Sequence, residues 1–290
     1  VADTAIKCNE KARSRSEPPG RPPRNRAVMK HSDVLGGLDY LAADYHRQNF
    51  SKHVHNEYLI GLIERGVHDV WCRGEVWHAG SGTVATFAPG EPHFGGAGDD
   101  LGWSQKIFYV PECLIRQVLE EGQIGPGTID FKSPFQENVA VAHGLTALWR
   151  LLEHEHSSAL EIEEYLIRFL RYVFAEAGGS RVAERKLVPP RFRAVRDFIH
   201  AHSAEVLQLA ALAALAGCSK ATLIDGFKAH FGLPPTRYLI QVRIDQARRL
   251  LRRGQQVAEV AVAVGFADQS HLTRHFKAVL GVTPARYLSV

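Results

Sequence analysis

Cysteine is scarce in this 290-residue chain: Cys8, Cys72, Cys113 and Cys218 lie far apart and form no C-x-x-C pair. That excludes a disulfide framework and a zinc knuckle. No apolar run approaches the roughly 18–20 residues that a membrane span needs. The basic N-terminus lacks the apolar stretch of a signal peptide, so the expected location is the cytoplasm, with no membrane partner. Methionine occurs once, at Met29. A large net charge is missing too, because the +4 of the whole chain conceals an uneven distribution. From Pro189 to the end there are 14 Lys+Arg against 6 Asp+Glu, and residues 1–30 carry 8 against 3. The middle, 31–188, has 13 against 22. A basic C-terminal third behind an acidic middle fits a polyanion-binding module joined to something that does not bind polyanions.

What is present divides into four parts. Residues 1–30, rich in Arg, Ser and Pro, are expected to be a disordered basic tail, with the usual start of the protein near Met29. From about Leu38 to Val110 short apolar runs alternate with turn signals at Gly66, Gly74, Gly80–Gly82, Pro89–Gly90 and Gly95–Gly98. That spacing predicts a small antiparallel barrel or sandwich. Helical patterns follow, the clearest over Leu160–Ala177, where Ile162, Leu166, Phe169, Leu170, Val173 and Phe174 form one apolar stripe. This unit is placed at 31–177, with a linker at 178–190 ending in Pro-Pro.

Residues 191–290 are expected to be all-helical and contain a repeat. FKAHFGLPPTRYL at 227–239 returns as FKAVLGVTPARYL at 276–288, an offset of 49 residues with eight of thirteen identities. Self-similarity of this kind means one structural unit used twice. Each copy has a short apolar helix, a Gly turn (Gly217, Gly265) and a second helix, which describes a helix-turn-helix. The two motifs span about 208–231 and 257–280. Between them Thr236–Arg253 reads as an amphipathic helix with a dense basic face.

In the barrel, His53-x-His55-x-Glu57 is expected on one face of a strand, since side chains alternate with period two. Pro89-Gly90-Glu91-Pro92-His93 adds a histidine just past a tight turn. These motifs resemble a cupin, whose two metal-binding motifs they echo. Three imidazoles, His53, His55 and His93, would suit Zn, Fe or Ni. The spacing departs from the metal-binding pattern, because Glu57 follows His55 too soon and P-G stands where the enzymes have P-x-G. The favoured expectation is therefore a pocket for an organic ligand lined by His53, His55, Glu57, Tyr58, Glu91 and His93, with no cofactor.

RIDQARRLL…VAEVAVAVGFADQSHLTRHFKAVLGVTPARYL resembles the DNA-binding domain of the AraC/XylS family of transcription regulators. HVHNEYLIGLIERG and FAPGEPH resemble the ligand-binding half of the same family, so the likeness runs over about 31–290. The resemblance implies a multidomain α+β protein, a cupin-like barrel with trailing helices followed by two helix-turn-helix motifs. It implies double-stranded DNA, a small-molecule effector (an amino acid or a sugar), RNA polymerase and a second copy of the chain as partners. Its function would be ligand-responsive activation, and it would not be an enzyme; a metal-dependent cupin enzyme tethered to DNA is the competing class. On the second recognition helix Gln269, Ser270, His271, Arg274 and Lys277 are placed for DNA, with Arg274 able to read guanine. The first offers Lys220, Thr222 and Lys228, but Asp225 stands where Arg274 recurs, so it is expected to add less specificity.

Overall fold

The computed structural model describes residues 25–120, 129–176, 178–182 and 188–287. Strands come first: β1 (Arg26–Ser32), β2 (Leu38–Tyr45), β3 (Asn49–His53), β4 (Glu57–Gly66), β5 (His68–Cys72), β6 (Glu75–Ala79), β7 (Val84–Phe87), β8 (His93–Ala97) and β9 (Trp103–Pro111). After α1 (Glu112–Glu120) come β10 (Ile129–Phe131), β11 (Phe135–Gln136), α2 (Val139–Glu153), α3 (Ala159–Glu176) and β12 (Gly178–Val182). The rest is helical: α4 (Pro190–Ala201), α5 (Leu209–Leu215), α6 (Lys220–Phe231), α7 (Pro235–Arg252), α8 (Val257–Ala263), α9 (Gln269–Leu280) and α10 (Pro284–Tyr287). No single helix among the described residues is long and apolar enough to cross a membrane.

Two antiparallel sheets form the barrel, one ordered β1-β2-β9-β4-β7-β11 and the other β3-β8-β5-β6. The central strands β4 and β7 of the larger sheet are buried on both faces, which explains their nearly unbroken apolar runs. On β4, Leu59 and Ile63 point into the barrel, while Tyr58, Ile60 and Leu62 point toward the layer formed by α1, α2 and α3. All six residues of the predicted α3 stripe are buried.

Several expectations shift. The ordered fold begins before residue 30: Arg26–Ser32 pairs with β2 along its whole length, and Ala27 and Met29 are in the core. Residues 1–24 of the expected tail lie outside the described residues. The first part of the expected linker, Gly178–Val182, is a strand paired with β10. The run Gly95–Gly98 is not simply a turn, because Gly95 and Gly96 lie inside β8. A Cβ on Gly95 would stand 2.2 Å from the Asp69 carbonyl oxygen of β5, so glycine there permits strand approach. His53, His55 and Glu57 do not share a strand either, since β3 ends at His53 and β4 begins at Glu57.

Both helix-turn-helix motifs start and stop by matched devices. The Ser219 hydroxyl accepts from the Thr222 amide and the Asp268 carboxylate from the His271 amide, each satisfying an orphan N–H of the first turn. Gly232 and Gly281 close the second helices with φ of 76° and 74°, the left-handed conformation that glycine adopts without a Cβ penalty. Leu223 and Phe227 in one copy, and Leu272 and Phe276 in the other, are fully buried. The cores differ. The first motif packs with α4 around Phe192, Val195 and Ile199 in a cluster of its own. The second shares one continuous core with the barrel interior.

Candidate functional site

Four histidines meet inside the barrel. His53, His55, His68 and His93 line a void of about 50 Å³ together with Gln105 and Tyr109, and the remaining walls are apolar. The ring centres of His53, His55 and His93 are 4.5–5.3 Å apart. The Nδ1–H groups of His53 and His93 donate to the carbonyls of Ser51 and Glu91 at 2.7 and 3.0 Å. That fixes Nε2 as the free, basic nitrogen of each ring. Phe87 stacks on His93, and Trp103 stacks on His68. Burial disfavours every imidazolium here, and mutual repulsion adds to it. It pushes His53 and His68 down to about 3 and His93 to about 4, and holds His55 well below the ordinary range. Buried His55 Nδ1 and His68 Nε2 have no hydrogen-bond partner among the described residues, which leaves about 1–3 kcal/mol of desolvation uncompensated at each.

The other expected pocket residues lie elsewhere. Tyr58 faces the helical layer, where its hydroxyl accepts from the Ile129 amide and its ring packs on Phe131 and Phe174. Glu91 turns away to pair with Arg73 and to accept from the Ala88 amide, which braces the Pro89–Pro92 turn. Glu57 points toward α7. Inward parity carries through residues 54–56, since His53, His55 and Leu59 all face the void; Tyr58 therefore falls on the opposite face, and Glu57, the first residue of β4, is taken by Arg248. His68 was missing from the expected set, although the alternation His68-Val70-Cys72 along β5 carries the signal for its inward face.

One wall of the void comes from the C-terminal domain: Val279 and Leu280, the last turn of α9, close it. The following Gly281 sits so tightly that a Cβ would lie 2.1 Å from the Tyr45 hydroxyl and 3.1 Å from the Phe50 ring. The opposite face of α9 is free. Gln269, Ser270, Arg274 and Lys277 are exposed, whereas His271 is half-buried against Phe266 and His275. On α6, Lys220, Thr222, Asp225 and Lys228 are exposed. Thr222 Oγ1 lies 2.9 Å from the Ser219 capping hydroxyl. Asp225 and Lys228 border an open groove whose far side is Lys52, Gly90 and Pro92 of the barrel.

Comparison with known proteins bears on both halves. The AraC-like ligand binding domain family matches residues 35–170, and a helix-turn-helix domain family matches 212–289. An uncharacterized HTH-type transcriptional regulator of Bacillus subtilis is 30% identical over 231 residues, covering 78% of this chain and 82% of its own. The chain belongs to the AraC/XylS family of transcription regulators. The HTH-type transcriptional activator RhaS of Salmonella paratyphi A is 25% identical over 243 residues, 81% of this chain and 86% of that one. In fold, the chain is similar to unsaturated fatty acid bound ToxT of Vibrio cholerae, with TM-score 0.55 and 12% identity over 91% of this chain and 94% of that one.

The two halves of this AraC-type regulator are joined by a buried ionic junction that the basic face of α7 concealed. Arg248, 3% exposed, donates from Nη2 to Asp39 at 2.5 Å and from Nη1 to Glu57 at 2.6 Å. Asp39 also accepts from the Tyr287 hydroxyl at 3.1 Å and from Arg252 at 3.1 Å, and lies 2.6 Å from His31. Burial alone would raise the Asp39 carboxyl, but the His31 hydrogen bond and the two arginines hold it far below the usual carboxylate range. Asp245 shows the converse: burial, then the nearby Glu57, pushes it up to about 7. A sequence signal existed for Arg248. It occupies the i+4 position of the apolar stripe Ile244-Ala247-Arg248-Leu251, whose other members are fully buried.

Proposed function

We propose that this protein is a ligand-responsive transcription activator in which an effector inside the barrel acts directly on the second helix-turn-helix. One observation carries the reading: the end of recognition helix α9 is a wall of the barrel cavity. A ligand in that cavity bears on Val279 and Leu280, and the same helix presents Arg274 outward. Differential contact with two arrangements of α9 is what a population shift requires. The present void holds only a few waters by volume, at about 10–15 Å³ of such space per molecule. An amino acid or sugar enters only if the end of α9 withdraws.

On this reading residues 31–177 bind effector and a second copy of the chain, and 191–290 engage double-stranded DNA in the cytoplasm and contact RNA polymerase. Arg274, Ser270, Gln269 and Lys277 bind DNA from the second motif, and Lys220, Thr222 and Lys228 from the first. Binding as the role of the cavity is supported by its closure with the end of α9, which ties its contents to a helix-turn-helix. The test is selection of bound sequences from a random DNA pool by the full-length protein, followed by footprinting at fixed salt. The expected footprint has two major-groove segments about 34 Å apart on one face of the duplex. Binding with no sequence preference, differing only by salt, would refute the reading.

A further inference from the structure

The geometry points to a divalent transition-metal site at His53, His55 and His93, whose occupation is the signal that α9 senses; this deepens the regulatory reading above and rests on it for the signal. Four observations carry it. One ligand atom from each of the three side chains lies within 4.8 Å of the others, and all three residues are buried. Two nitrogens bound at about 2.0–2.1 Å to one tetrahedral ion lie roughly 3.4 Å apart. The triad therefore closes on an ion by moving its nitrogens about 1.4 Å at most, within reach of side-chain rotation.

The second observation is that the ligands are prepared. Backbone carbonyls of Ser51 and Glu91 hold the Nδ1–H of His53 and His93, the outer-shell contact that orients a metal-binding imidazole and raises its basicity. Third, the void of about 50 Å³ suits an ion and the waters that complete its coordination. Fourth, the donors are three imidazoles without a carboxylate, a set that suits zinc, nickel or copper and discriminates against magnesium and calcium.

The same geometry connects the ion to DNA binding. His53 ends β3, on which α9 packs, and its ring centre is 6.0 Å from that of Phe50. Phe50 in turn borders Gly281 at the end of α9. Tightening of the triad draws His53 inward and shifts the Phe50 surface against which α9 is seated.

The test uses the full-length protein stripped with chelator and then dialysed against Zn²⁺, Co²⁺ or Mg²⁺. The expected result is one zinc per chain by elemental analysis and none for magnesium. A Co²⁺ spectrum with visible bands but without thiolate charge transfer would exclude the cysteines, and needs no variant that might misfold. His55→Gln and His93→Gln lose the ion while Cys113→Ser keeps it, with circular dichroism confirming the fold of each. In parallel, affinity for a selected operator changes on zinc addition by about 5–150-fold, the usual span of allosteric coupling. Failure to retain stoichiometric zinc, or its retention in both histidine variants, overturns the metal site. If the operator is still bound under those conditions, the regulatory reading survives alone. Stoichiometric zinc with unchanged operator affinity overturns the sensing role, and zinc bound by a protein that selects no operator overturns the regulatory reading instead.

Discussion

The two helix-turn-helix motifs are copies of one sequence, yet they pack differently against the barrel. Both keep the same caps, buried Leu-Phe pair and terminal glycine. In the second copy, the residues before that glycine, Val279 and Leu280, enter the barrel and share its core. In the first, the matching His230 and Phe231 face an open cleft of about 410 Å³ that also touches Val54, Asn56 and Pro89. Beside it Gly232 lies close to the Pro92 ring, 2.3 Å from where a Cβ would stand. The lesson is that duplication supplied two equivalent helices, and the last turn of each decides which one packs into the barrel. The second copy and α7 share the barrel's core, whereas the first copy packs with α4 in a cluster of its own.

Acid should break this comparison most strongly. The four buried histidines of the metal-free barrel are neutral when folded, with values of about 3 to 4 for His53, His68 and His93 against 6.5 ordinarily. Their contribution is fully present above pH 6.5 and is lost as pH falls through the window from 6.5 toward 3–4, because the unfolded chain takes up the protons. The slope is at most about 1.4 kcal/mol per pH unit for each histidine. All four tryptophans lie at or before Trp149, so their fluorescence follows the barrel. Tryptophan fluorescence should change at a higher pH than the helical signal of the first motif; coincident transitions would deny the separation of the two cores.

The junction at Arg248 gives the next largest effect. Arg248→Ala takes from buried Asp39 one of its two arginines and from Glu57 its ion-pair partner, a loss of about 3 kcal/mol, the low end for a broken buried pair because Arg252, Tyr287 and His31 still hold Asp39. By contrast Arg196 of α4 pairs with Asp197 at the surface, and Arg196→Ala should change stability by no more than about 1 kcal/mol. Chemical denaturation of the two variants measures the difference directly. Equal losses would mean that the buried junction does not hold the second motif to the barrel. A smaller contrast separates Gly281→Ala from Gly232→Ala. Each costs about 1–2 kcal/mol for a side chain in left-handed backbone. Only the former also meets a fully buried side chain, Tyr45, so it should open the interface and raise protease sensitivity between the halves.

Much of this was legible in the sequence where the information is local. The repeat, both Gly turns and the α3 stripe are periodic, and periodicity survives without knowledge of the fold. The barrel strands were legible where turn residues bracket them. They were hidden where glycine serves close approach, as in Gly95, or where an Arg- and Pro-rich stretch precedes a strand, as in Arg26–Ser32. His53, His55 and His93 were legible as a group, but Tyr58 falls on the opposite face by simple alternation, and Glu57 is taken by Arg248, a residue far away in sequence. The Arg248 junction joins positions about 190–250 residues apart, and no local pattern reports such a pairing.

The finest distinction lies between Arg274 and Asp225, exposed residues at equivalent positions of α9 and α6. A guanidinium can make two hydrogen bonds to guanine, worth about 1–3 kcal/mol of discrimination. A carboxylate there repels the phosphate backbone, and Asp225 stands at the rim of the groove it shares with Lys52 and Lys228. Arg274→Ala should therefore reduce preference for a selected operator over random DNA by roughly 5–150-fold at fixed salt. Asp225→Ala should leave that preference within about threefold and raise affinity for all sequences alike, since it removes only a repulsive charge. Salt-matched titrations of both variants on operator and random duplexes provide the measurement. Equal losses of discrimination would show that the two copies read bases equally, and that their difference is confined to how each meets the barrel.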